Sequence, residues 1–553
     1  MSRYDLNLNS HRFILRVVTQ INLIFKELNF MNNNDNGMHL LEKGKQSFLR
    51  MIFSRTGLIL VLLIIQILFL FAIFGWFEEF LPHIYGGVIF FTLFMVLYIL
   101  SSSMNNVSKI TWLVVVMLMP VFGCLLFIYT QMEIGHRALK KRSQEIITEH
   151  QDLLAQDPKV LEELDQECPG AKSLAHYLSR SGAHPVSKNT SVEYYPLGEI
   201  MFEAMKVELR KAKSFIFLEY FIIDEGKMWG QILDILVAKV KEGVDVRVLY
   251  DGTNELSTLP HNYPERLKAL GIKCKMFAPV TPFVSTHYNY RDHRKILVID
   301  GHTSFNGGIN IADEYINEVD HYGHWKDTGV KLVGDATRNF TMMFLEMWNL
   351  DEKEVIFKPY IDVKVDEVKD AQGYVMPYGD CPVDDDKVGE HVYIDILNRA
   401  HDYVYITSPY LIVDGEMEDA LRFAAKRGID VRIMLPGIAD SGVAHGLAYS
   451  HYKTLLEAGV KIYEYTPGYT HAKMFVSDDK EAVVGTINLD YRSLYHHFEC
   501  ATYMYQVKCI KAIHDDFLVN QKKCHEITLA NLKDIPLKRK LLGFLAKSVA
   551  PLI

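Results

Sequence analysis

The chain has 553 residues, 49% of them hydrophobic, 12% aromatic and 23% charged, and its 34 glycines and 18 prolines exclude a collagenous or low-complexity polymer. That length exceeds one small module and leaves room for several packed cores. A formal charge of −9 argues against a whole-surface basic field for nucleic acid, while a mean hydropathy of +0.03 is high for a chain with no strongly apolar segment.

Residues 1–56 read as a basic extension. In it Phe13, Ile14, Val17, Val18, Ile21, Ile24, Phe25 and Leu28 recur at helical spacing, which predicts a short amphipathic helix ahead of the NNNDNG break. The excess apolarity lies in residues 57–131, expected to hold transmembrane segments. Gly57 to Phe77 is uncharged over about twenty residues, enough to cross a bilayer core as a helix. Gly86 to Leu100 and Ile110 to Gln131 follow, the last interrupted by Pro120 and Gly123. The first run starts too far into the chain, and lacks the small-residue pattern, for a cleaved signal peptide. Lys43, Lys45, Arg50 and Arg55 precede these runs and Arg137, Lys140, Lys141 and Arg142 follow them, so both flanks favour the cytoplasm. The expectation is a multi-pass protein of the cell membrane with two crossings, one run re-entrant or interfacial, and a cytoplasmic catalytic body.

Residues 132–190 read as a mostly helical linker, acidic from Glu145 to Glu167. Beyond it the chain repeats itself. KSFIFLEYFII, GVDVRVLYDG, LGIKCKMF and HRKILVIDGHTSFNGGIN are echoed in order by DYVYITSPYLI, GIDVRIMLPG, AGVKIYEY and HAKMFVSDDKEAVVGTIN. The period of roughly 180 residues exceeds that of solenoid repeats and indicates a duplicated domain. Its halves are placed at 191–375 and 376–530. Each alternates β-branched apolar runs with helical ones, which predicts α/β layers and two halves packed around one cleft. Residues 531–553 end the chain with Leu541, Phe544, Leu545, Val549 and Leu552 on one face beside Lys538, Arg539, Lys540 and Lys547: an amphipathic helix for anionic lipid or for docking on the body. Seven scattered cysteines with no CxxC pair read as reduced thiols, with no disulfide frame and no metal site.

The echo is sharpest at two HxKxxxxD stretches. His293, Lys295 and Asp300 are followed by Gly307, Gly308 and Asn310; His471, Lys473 and Asp478 are followed by Gly485, Thr486 and Asn488. His and Lys two apart share one face of a strand. Glycines admit close approach and Asn supplies amide donors, so these positions suit phosphate binding. Two imidazoles and two ammonium groups suit a phosphodiester: the cations neutralise the phosphoryl oxygens, one imidazole attacks and the other protonates the departing alkoxide, with no metal or cofactor.

These motifs are the signature of the phospholipase D superfamily. With FNGGINIADEYI, HWKDT, SPYLIVDGEMEDAL, AAKRGIDVRIMLPG and GTINLDYRS, the chain resembles the bacterial cardiolipin synthases from about residue 57 onward. The resemblance implies a covalent phosphohistidine, with His293 as nucleophile and His471 as acid. It implies that Asp300 and Asp478 are structural supports of their motifs, and that Asp327 and Glu499 orient the histidines. Thr486 stands where the first copy has a second glycine, and His497 where this family often has Asn. Tyr220, Phe221 and Tyr410 end the first strands of the halves and read as core or cleft lining; Arg247 and Arg432 recur as a structural pair. The implied activity joins two phosphatidylglycerols into cardiolipin and glycerol, with anionic membrane lipids as partners and no nucleic acid. A phospholipase D hydrolase, another headgroup transferase, a superfamily nuclease and an inactive membrane scaffold are the alternatives, and the sequence leaves the oligomeric state open.

Overall fold

The computed structural model describes residues 85–533, apart from 103, 105, 132–133, 261, 281–289, 385 and 439–440, together with isolated positions between 64 and 75. All of them lie in the compact unit Ile59–Ile553. The N-terminal amphipathic helix, most of the first apolar run and residues 534–553 of the C-terminal helix expected at 531–553 fall outside the described residues.

The first half contributes β1 (Thr190–Tyr195), β2 (Phe215–Tyr220), β3 (Asp245–Asp251), β4 (Lys273–Phe277), β5 (Arg291–Asp292), β6 (Lys295–Ile299), β7 (Thr303–Gly307), β8 (His324–Lys326) and β9 (Gly329–Gly334). The second contributes β10 (Tyr374–Asp380), β11 (Tyr403–Thr407), β12 (Leu411–Ile412), β13 (Asp430–Pro436), β14 (Lys461–Tyr465), β15 (Gly468–Thr470), β16 (Met474–Ser477), β17 (Glu481–Gly485), β18 (Leu489–Asp490), β19 (His497–Tyr505) and β20 (Cys524–Ile527). One sheet runs β1-β9-β7-β6-β2-β3-β4 and the other β10-β19-β17-β16-β11-β13-β14-β20. Apart from the added β20, the two orders are the same, so the sequence repeat is a repeat of topology.

Side-chain alternation sorts the strands into layers. Ile216 and Leu218 of β2 point outward to the helices Gly198–Lys211 and Lys227–Lys241. Phe217 between them points inward and shares a core with Val298, Val330, Val476, Val484 and Met504 of both sheets. Val404, Ile406, Ile433 and Phe475 face the second half's helices. Both sheets are therefore covered on both faces, which explains the continuous apolar runs of β2, β6 and β16. Each such side chain contributes about 1.5–3 kcal/mol on burial.

The segment read as a linker is packed into the body. Its helices Ile134–His150, Pro158–Glu167 and Pro169–Gly182 send Ile146 into the inter-sheet core and Leu164, Leu174 and Leu178 into the core of the second half. Ahead of it, Tyr85–Ser101, Asn106–Leu118 and Pro120–Gln131 form three short helices around Met95, Ile99, Trp112, Val116 and Phe127. The third apolar run is thus two helices, parted at Met119, where Pro120 begins a new one. Among the described residues, no helix is long and apolar enough to cross a membrane.

Candidate active site at the junction of the halves

His293 and Lys295 enter the sheet at the start of β6, opposite the end of β2, where Tyr220 pairs with Lys295. His471 and Lys473 hold the equivalent place before β16, beside the end of β11. Two short parallel pairings carry strands of one half to the other. β5 pairs with β19, Asp292 opposite Phe498; β15 pairs with β8, Thr470 opposite Lys326. The backbone N–H of His293 donates to Phe498 (2.9 Å), and that of His471 to Lys326 (2.7 Å). The next residue along each partner strand is an acid. Register therefore delivers Glu499 to His293 and Asp327 to His471: each histidine is held by the opposite half.

The two pairs differ in detail. His293 Nδ1 faces both carboxylate oxygens of Glu499, at 2.8 and 3.0 Å. His471 Nδ1 lies 2.7 Å from Asp327 Oδ2 and 2.8 Å from Lys473 Nζ. Lys295 Nζ donates to the carbonyl of His293 (2.6 Å) and lies over the Phe221 ring. All six groups are buried. Burial holds the His293 imidazole well below its ordinary pKa despite the pull of Glu499, and lowers that of His471 to about 4. Burial also lowers Lys295 to about 8 and Lys473 to about 7. For Glu499, burial pushes upward, but His293 outweighs it and keeps the carboxylate ionised. The ammonium of Lys295 feels Asp327 as well as Glu499, and Lys473 feels Lys295, so the halves act electrostatically as one site.

Chemically, a carboxylate at Nδ1 fixes the proton there and leaves the Nε2 lone pair free. Two such imidazoles beside two ammonium groups form a site for in-line displacement on an anionic phosphodiester.

The profile described as "Cardiolipin synthase, PLD-like domain" matches residues 205–345 and 393–519, one segment in each half. A cardiolipin synthase of Halalkalibacterium halodurans is 32% identical over 465 residues, covering 83% of this chain and 92% of its own. The chain belongs to the cardiolipin synthase family. A cardiolipin synthase 2 of Bacillus anthracis is 32% identical over 452 residues, covering 81% and 87%, and an uncharacterized protein of Streptococcus mutans is 55% identical over 83% of this chain and 99% of its own. In fold, the crystal structure of phosphatidylserine synthase from Haemophilus influenzae matches 66% of this chain and 93% of that one at a TM-score of 0.50 and 15% identity.

Within this family framework, the remaining motif residues divide into those at the site and those that build it. Asp300 and Asp478 lie away from the histidines, at the far ends of their strands. Asp300 accepts the backbone N–H groups of Lys213, Ser214 and Phe215, and Asp478 those of His401, Asp402 and Tyr403, each at 2.7–2.9 Å. Both have positive φ, 52° and 54°, in the β6–β7 and β16–β17 turns. Gly307 and Gly485 end β7 and β17 against Thr328 and Ala501. Gly308 makes room for an acid: a Cβ there would lie 2.2 Å from Asp327 Oδ1. Its counterpart Thr486 instead donates its hydroxyl to Glu499 Oε2 and accepts the Cys500 N–H (3.0 Å). Asn310 is committed inside the protein, accepting from Ile222 N–H (3.0 Å) and donating to the Tyr315 hydroxyl (2.6 Å). Asn488 is freer, its amide oxygen buried with no hydrogen-bond partner among the described residues.

Phe221 meets the His293 ring edge-on at 4.8 Å, whereas Tyr220 is core. Arg247 and Arg432 bind the acids two residues before them, Asp245 and Asp430. Sequence reasoning missed the aromatic cage of His471, whose ring lies 5.5 Å from those of Tyr315 and Trp325. It also missed Arg294, which donates to the Glu499 carbonyl (3.2 Å) and ties β19 to the motif. The residue inside HRK, between the two motif side chains, was the available signal.

Proposed function

We propose that this protein is a membrane-bound phosphatidyltransferase that converts two phosphatidylglycerols into cardiolipin and glycerol. The observation that supports it most is the pair of crossed His–carboxylate contacts inside a family of cardiolipin synthases. Nε2 of His293 attacks phosphorus, the bond from phosphorus to the glycerol oxygen breaks, and His471 delivers a proton to that oxygen. A hydroxyl of the second phosphatidylglycerol then gives its proton to His471 and attacks the phosphohistidine, releasing His293. Lys295 and Lys473 neutralise the phosphoryl oxygens. His293 suits the first role because both oxygens of Glu499 hold its Nδ1, while Nδ1 of His471 is shared between a carboxylate and an amine. An approaching phosphodiester anion raises the pKa of His471 and charges it as the acid.

The apolar segments of residues 57–131 anchor the enzyme and keep the lipid acceptor near and water away. Tyr85–Ser101 has no charged residue, and Ile89, Phe90, Leu93, Phe94 and Leu97 on it are exposed. The two basic flanks support a cytoplasmic catalytic body. Reconstitution of the purified protein with labelled phosphatidylglycerol tests the reading: cardiolipin and glycerol in equal amounts are expected, and phosphatidic acid as the main product would make it a hydrolase.

A further inference from the structure

His293, His497 and Glu499 bring three potential metal-ligand atoms within 4.8 Å of one another. Glu499 Oε1 lies 2.8 Å from His293 Nδ1 and 3.6 Å from His497 Nδ1. His497 is buried, and neither of its ring nitrogens has a hydrogen-bond partner among the described residues. Burying an imidazole whose Nδ1 reaches a carboxylate only at 3.6 Å and whose Nε2 has no hydrogen-bond partner is costly, and a group that takes a nitrogen lone pair removes part of that cost. Tetrahedral zinc holds N and O ligands at about 2.0–2.2 Å and so spaces them roughly 3.3–3.6 Å apart; gathering these three atoms requires shifts of about 1 Å.

We propose that His293, His497 and Glu499 form an inhibitory site for a transition-metal ion of the zinc type. Two imidazoles and one carboxylate suit zinc, nickel or copper, and discriminate against magnesium and calcium, which prefer all-oxygen sets. His497 also lines a cavity of about 680 Å³ together with Asp384, Asp386, Glu416 and Lys387, so three carboxylates and one ammonium group border the space that reaches it. Lys295 beside His293 opposes the ion's charge, and Nδ1 of His293 must release its proton to solvent before it can coordinate. Once bound, the ion separates His293 from Glu499 as a hydrogen-bonded pair and fixes the imidazole away from its working orientation. Inhibition rests on the proposed role of His293; binding does not.

The test uses the purified full-length protein titrated with cobalt chloride, read by its visible spectrum, and with zinc chloride, read by cardiolipin synthesis. A four-coordinate cobalt spectrum without thiolate charge transfer is expected, displaced by zinc and lost in His497→Asn. Zinc should inhibit wild type reversibly to chelator, and His497→Asn should need at least about tenfold more zinc for the same inhibition, with metal-free turnover retained. His497→Gln is the second variant should the first not fold. An unchanged cobalt spectrum or equal zinc inhibition in a folded His497 variant would overturn the proposal, as would a thiolate band, which puts the ion on cysteine. If the protein makes no lipid product, the cobalt spectrum still decides whether the site binds.

Discussion

His293 and Glu499 lie 206 residues apart in sequence, in opposite halves of a duplication, yet Nδ1 of the one is 2.8 Å from Oε1 of the other. Asp327 and His471 repeat the relationship in mirror order. Neither half contains a complete orienting pair, so the proposed reaction requires both halves docked in register.

Glu499→Gln keeps the shape but offers an amide that can donate to Nδ1 and favour the wrong tautomer. Cardiolipin synthesis should fall by about 10²–10⁴ in kcat with KM little changed. Steady-state kinetics on phosphatidylglycerol vesicles measures it. Combined with His293→Ala, the substitution should add almost nothing further, because the two act as one unit.

Thr486→Val removes the hydroxyl donated to Glu499 while keeping the side-chain volume. A hydrogen bond to a charged group contributes about 1.5–3 kcal/mol, so kcat should drop on the order of tenfold or more, and Thr486→Ser should restore most of it. An unchanged kcat in the valine variant would show that Glu499 holds its place without Thr486.

Asp300→Ala and Asp478→Ala each leave three backbone N–H groups without their acceptor. At these partly exposed turns water replaces some of the loss, so each should cost about 1–2 kcal/mol of stability, seen as a lower thermal midpoint. Asp→Asn should cost less, since Asn accepts through its amide oxygen and tolerates positive φ. The specific activity of the folded fraction should change little.

Lys473 carries its proton only below about pH 7. The protonated form is the one that neutralises a phosphodiester, so kcat/KM should fall as pH rises through about 7. Bound lipid raises the lysine's pKa, so kcat at saturation should fall at higher pH than kcat/KM does. A kcat/KM that climbs across that range would contradict the assigned charge state.

The motifs were legible because their information is local: His, Lys and Asp sit within eight residues, and a second copy repeats the spacing. The two sheets followed from the order in which apolar runs recur. The crossed pairing was not legible, because it is carried by β5–β19 and β8–β15, paired over stretches of only two and three residues with no period and no composition of their own. Asp327 and Glu499 could be named as orienting acids, but the symmetry of the duplication hides which histidine each serves. The roles of Gly308 and Thr486 were hidden for the same reason. A glycine that clears space for Asp327 and a threonine that binds Glu499 are equivalent in the repeat and have opposite local functions. In residues 132–190, expected to be mostly helical, the packing was not legible from the charge, since the acidic residues of these helices face outward while Leu164, Leu174 and Leu178 pack inward.

The nucleophile is identified most directly by rapid quenching of the protein with phosphatidylglycerol labelled in its diacylglycerol part, followed by mass spectrometry of the alkali-stable, acid-labile phosphohistidine peptide. Label on His293, absent in His293→Ala and still formed in His471→Ala when the leaving alcohol needs no proton, is the expected result. Label on His471, or a lipid product formed by His293→Ala at the wild-type rate, would contradict it.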